Sequence, residues 1–127
     1  MTYYFSKIID APFQQAVERT VAALKSHGFG VLTRIDVQAT LKEKIGVDFR
    51  RYIILGACNP TMAHQALEAE DKIGTMLPCN VIVQEVGGGT EVAAIDPVAS
   101  MQAIQNDRLA AVATKVREEL KAAVQSL

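Results

Sequence analysis

The segment Tyr52-Ile53-Ile54-Leu55-Gly56-Ala57-Cys58 is apolar at both alternating sets of positions. A β-strand sends successive side chains to opposite faces, so a strand like this has no polar side to give to water. It belongs in the interior of a sheet, covered on each side by helices, a partner subunit or both. Asn59 and Pro60 then open a helix: Asn is a good N-cap, and Pro suits the first turn because its missing N–H is not needed there. Met62, Ala66, Ala69 and Ile73 form the apolar stripe of that helix, and Gly74 is expected to end it.

The rest of the chain supplies partners for this strand. Tyr3 to Ile9 mixes aromatic and β-branched residues and predicts an opening strand. Asp10 and Pro12 then introduce a helix with Phe13, Val17, Val21 and Leu24 on one stripe, stopped at Gly28. Val31 to Val37 predicts a second strand with Val31, Thr33, Ile35 and Val37 on one face, followed by a short helix over 36–44 closed by Gly46. Val81 to Val86 and Thr90 to Ile95 predict two more strands, and Gly87-Gly88-Gly89 turns one back into the other as a hairpin. Asp96-Pro97 caps a further helix, and an amphipathic stripe from Leu109 through Val116 and Leu120 reaches Leu127.

The order β-α-β-α-β-α-β-β-α predicts a single α+β domain over 1–127. Its expected form is a two-layer sandwich, with a mixed, roughly five-stranded sheet and helices mainly on one face. The close hairpin argues against a doubly wound parallel sheet. Five strands with helices mainly on one side can leave the other sheet face uncovered, and a homodimer would bury it.

Thirteen basic and fourteen acidic residues leave a net charge of −1, which points away from nucleic acid and from membrane surfaces. With no Trp and only seven Phe and Tyr, an aromatic base-stacking platform is not expected. No apolar run approaches the roughly 18 residues of a membrane-spanning helix. The first residues lack a signal-peptide pattern, so the expected location is the cytoplasm, where Cys58 and Cys79 stay reduced.

Cys58 stands at the end of the buried strand, directly before a helix N-terminus. Unpaired N–H groups and the helix dipole stabilise a thiolate there, although a small, inert buried thiol fits the same position. Leu77-Pro78-Cys79-Asn80 repeats the Cys-Asn pair at the start of the next strand. The two thiols fall at opposite ends of the sheet if the strands are parallel, and at one end if they are antiparallel. His64 lies on the helix after Cys58, but Cys58, His64 and Cys79 match no standard zinc spacing and have no fourth ligand, so no metal or cofactor is expected. Lys42, Lys44, Arg50 and Arg51 form a basic cluster, of which only part can converge because Arg50 and Arg51 point to opposite faces when extended. No Ser-His-Asp order, nucleophile elbow or phosphate loop is present.

Gly28-Phe29-Gly30-Val31-Leu32, the Tyr52-to-Pro60 block and Leu77-Pro78-Cys79-Asn80-Val81 together resemble the domain-of-unknown-function 302 family of bacteria and archaea. The resemblance runs from Phe5 into the last helix. It implies a compact, dimeric α+β domain of unestablished activity, so it brings no catalytic residue. It marks Cys58, Asn59, Pro60, Leu77, Pro78 and Cys79 as site or fold-defining positions.

Three functions are compatible with these residues. The first is a homodimeric module binding a small molecule or a partner at Cys58, Asn59, Pro60, His64, Pro78 and Cys79, with small anions favoured at the helix start. The second is thiol redox or sulfur-transfer chemistry using Cys58 with Cys79. The third makes both Cys-Asn blocks structural caps and turns.

Overall fold

The computed structural model describes residues 2–127. Its strands are β1 (Tyr4–Ile9), β2 (Gly30–Asp36), β3 (Tyr52–Cys58), β4 (Cys79–Val86) and β5 (Gly89–Ile95). They form one five-stranded sheet in the order β1-β5-β4-β3-β2. The α+β class and the element order are as expected. Every neighbouring pair is antiparallel, so the sheet is not mixed. The reason lies in the first connection: β1 and β2 are joined by a helix but occupy opposite edges and never pair.

The helices are α1 (Phe13–Ser26), α2 (Val37–Ile45), α3 (Pro60–Ala69), α4 (Pro97–Ser100) and α5 (Asp107–Gln125). One face of the sheet meets α1 and α5. There Leu55 and Val81 pack with Val17 and Leu24 of α1 and Leu120 and Val124 of α5. The register explains which residues go inward: Leu55 lies opposite Val81, and Val81 opposite Ala94, so one alternating set enters the core together. The other set places Ile54, Ile82 and Ala93 in a row across the opposite face. Ile35, 48% exposed, extends that apolar row to the β2 edge, and Ser6 lies opposite Ala93 at the β1 edge. α2 contributes no buried residue. The side of β3 that required a cover is therefore open within one chain.

Several local boundaries differ from the sequence reading. The register slips between Val31 and Thr33, so Val31 lies opposite Ala57 on the core side and Thr33 opposite Gly56 on the open side. A bulge of one residue has this effect because strand side chains alternate with period two. Val37 begins α2, whose N-cap is Asp36, accepting from the Ala39 N–H at 2.9 Å. Pro12, not Asp10, occupies the N-cap position of α1, and no side chain caps that helix. α3 stops at Ala69 because Glu70 is extended, and a 3-10 turn over Asp71–Met76 follows. Ile73 is still buried, but from that turn and in a second cluster with Ala66, Met101, Leu109 and Ala113.

Candidate functional site

The antiparallel pairing of β3 and β4 places Ala57 opposite Cys79. Cys58 and Cys79 thus lie at one end of the sheet, the question that spacing left open, but strand alternation sends their side chains to opposite faces, Cys79 with Ala57 towards the core. Beyond that end the chain makes two helical excursions, α3 after β3 and α4–α5 after β5. Their apolar faces enclose a cavity of about 360 Å³, within the roughly 300–1,000 Å³ typical of ligand sites. Cys58, Asn59, Pro78 and Cys79 line its floor. Met62, Ala63 and Ala66 of α3 form one wall, and Leu109, Val112, Ala113 and Val116 of α5 form the other. Pro97 and Met101 close it from the α4 side. Leu32 and Leu67 also line it and are 67% and 43% exposed, which puts the mouth beside them.

Asn59 holds the corner together. Its Oδ1 accepts from the Met62 N–H at 3.0 Å, and the Ala63 N–H donates to its carbonyl at 2.8 Å. On the other side its amide touches the turn after α1: a Cβ on Gly28 would lie 2.9 Å from Nδ2. Gly28 also has φ +87°, so that turn favours glycine on two grounds. Pro78 similarly depends on Gly56. A Cβ there would lie 2.7 Å from Pro78 Cγ and would collide with Thr33 Oγ1.

No charged side chain and no histidine lines the cavity, whose polar groups are the Asn59 amide and the two thiols. At the start of α3 the Met62 and Ala63 N–H groups are used by Asn59, and Pro60 has none. What remains is an apolar chamber with thiols at its floor.

The thiols differ in setting. Cys79 is buried and Cys58 half-buried, and neither forms a disulfide. Burial, with a smaller contribution from negative charge at Cys58, pushes the Cys79 thiol up to about 11. Cys79 therefore stays protonated at neutral pH.

Pro60 and His64 do not line the cavity. Pro60 is the exposed first residue of α3. His64 faces outward, its Nε2 3.2 Å from Glu68 one turn on, in a shallow groove with Gln65 and Arg108. The basic cluster also disperses: Lys42 pairs with Asp48 at 2.9 Å, Arg50 donates to Gln84 at 2.7 Å, and Arg51 stacks on Phe13. Among the described residues, no three His, Cys, Asp or Glu side chains converge, and no helix is long and apolar enough to cross a membrane.

Sequence reasoning missed the α4–α5 half of the cavity. Met101, Ala113 and Val116 carry no motif, and Leu109 and Val116 read only as a helix stripe meeting a core. A signal was present in the small residues Ala66 and Ala113, which leave space between α3 and α5 where larger ones would fill it.

The family model described as "Domain of unknown function DUF302" matches residues 5–127. The chain is also similar to a solved structure, "Crystal structure of uncharacterized conserved protein DUF302 from Bacillus stearothermophilus". The two are 28% identical, the match covers 98% of each chain, and the TM-score is 0.91. No curated protein matches the sequence.

Proposed function

The chain belongs to the DUF302 family, whose description assigns no activity, and we propose that it is a homodimeric module binding a small apolar molecule in the cavity beside Cys58. The observation that carries this reading is the lining: a half-open space of about 360 Å³ with no charged group and a single side-chain amide. Apolar surface left unfilled inside a fold forgoes packing contacts, and a ligand of matching shape restores them. Asn59, Cys58 and Cys79 would orient the polar end of such a ligand at the floor.

The test is to fill the space. Ala113 is 3% exposed and lines the α5 wall. Ala113→Met adds volume there without adding charge. An uncharged apolar fluorescent probe such as N-phenyl-1-naphthylamine is expected to bind the native protein and to lose at least tenfold in affinity in the variant, with the melting temperature held or raised. Ala63→Leu, on the half-buried α3 wall, is the second variant in case Ala113→Met misfolds. Unchanged probe affinity in a folded variant overturns the reading.

The thiol reading keeps one supporting observation, that Cys58 and Cys79 lie at the same end of the sheet and both line the cavity. Its chemistry would begin at Cys58, because burial holds Cys79 as a thiol. The homodimer reading draws on the open apolar sheet face, and the cytoplasm remains the expected setting for two free cysteines.

A further inference from the structure

At about 360 Å³, the cavity beside Cys58 is roughly 2.4 times the size of the ~150 Å³ apolar cavity that takes up one benzene. On that scale it has room for on the order of 14 carbon atoms. Among the described residues one aromatic side chain lines it, Phe29, which is 2% exposed and has little ring face to offer. The other walls are small, aliphatic or flexible. Ala63, Ala66 and Ala113 leave the space between α3 and α5, and Met62 and Met101 bring unbranched side chains that adapt to what lies against them. A flat ring system finds no stacking partner along such walls. A hydrocarbon chain needs none.

We propose that the ligand class of this cavity is a straight-chain aliphatic molecule of about 10–14 carbons ending in an uncharged polar group, such as a hydroxyl or an ester. The proposal rests on the apolar-ligand reading and narrows it. Two observations make the head neutral. At the floor an ionised carboxylate would find no cation, because no charged side chain lines the space, and a buried ion without a partner is costly. A hydroxyl or ester oxygen needs one hydrogen bond, which a side-chain amide supplies. At the mouth, Leu67 is followed by Glu68, Glu70 and Asp71. Lys72, the one lysine or arginine of residues 60–78, is already paired with Asp71 at 3.0 Å. A carboxylate head turned outwards would meet like charge there.

The test displaces N-phenyl-1-naphthylamine from the full chain with n-alkanols from octanol to hexadecanol, each below its solubility limit. Dodecanoate and 9-anthracenemethanol, a flat alcohol of similar carbon number, are run beside them. Affinity is expected to rise about fourfold per added methylene and to level off between dodecanol and hexadecanol, where the chain outgrows the space. Dodecanoate and the flat alcohol are expected to bind at least tenfold more weakly than dodecanol. Ala113→Met, or Ala63→Leu if the first misfolds, is expected to lose at least tenfold in dodecanol affinity. Ile54→Lys, on the open sheet face, leaves it unchanged, which separates the two apolar surfaces. Affinity still climbing at hexadecanol, dodecanoate or the flat alcohol matching dodecanol, or a loss in Ile54→Lys instead of the cavity variants overturns the proposal. A probe that the filled variants lose but the alkanols do not displace defeats this proposal alone. Unchanged probe affinity in a folded filled variant defeats the apolar-ligand reading, and this proposal with it.

Discussion

Cys79 shows what burial does to a titratable residue in this fold. Its thiol pKa rises from 9.0 to about 11, first through desolvation and then through negative charge at Cys58. The unfolded chain loses that proton near pH 9, while the native chain keeps it until about pH 11. The native state therefore holds more protons in this window, and stability falls as pH rises through it. Relative to Cys79→Ala, which has no such group, the wild type should lose roughly 2 kcal/mol of unfolding free energy between pH 8 and pH 10.5. Urea denaturation of both proteins at the two values measures it, and parallel pH profiles would contradict it. The subtraction also removes lysine titration, common to both chains. The same burial argues for ordered alkylation, with Cys58 labelled in the native state and Cys79 only after unfolding. Neither contrast could be read from the sequence, where Cys58-Asn59 and Cys79-Asn80 are the same pair of letters.

At the scale of elements, the legible parts were those with a local cause. The Asn59 cap, the Pro60 helix start and the hairpin at Gly87-Gly88 follow from backbone chemistry within a few residues, and all are present. The end of α3 has a distant cause. Asn106, the N-cap of α5, accepts from the Leu109 N–H at 3.1 Å through Oδ1 and donates to the Ala69 carbonyl at 2.7 Å through Nδ2. One amide thus starts α5 and stops α3, with Nδ2 also 3.3 Å from the Glu70 carboxylate. No reading of 60–74 by itself contains that partner, which is why Gly74 looked like the terminator. Asn106→Ala removes both functions and should cost about 1–2 kcal/mol, the sum of a lost cap and an unpaired carbonyl. Asn106→Asp keeps the cap but loses the donor and sets a carboxylate beside Glu70, so it should recover only part of that loss. Chemical denaturation of the three proteins decides this, and equal stability of Asn106→Ala and wild type would remove the two-helix role.

For the whole molecule, the requirement imposed by β3 is met on one face and left open on the other. Ile53, Leu55 and Ala57 enter the core under α1 and α5, but Ile54 lies in the row Ile35–Ile54–Ile82–Ala93 on the uncovered face. Single exposed apolar residues are ordinary on protein surfaces, whereas a contiguous row across a sheet marks an interaction face. A second copy meeting it about a two-fold axis would set each row against its equivalent and close both sheets. The double-sided apolar pattern of Tyr52–Cys58 is thus met by helices on one face only. Ile54→Lys distinguishes the alternatives. In a monomer the lysine extends into water with little effect on stability. In a dimer the change brings two like charges into one buried interface, at a large cost in desolvation. Sedimentation is expected to give wild type at twice the 13.7 kDa chain mass and the variant at the single-chain mass. Wild type at the single-chain mass across the accessible concentration range would leave the open face without a second copy to cover it.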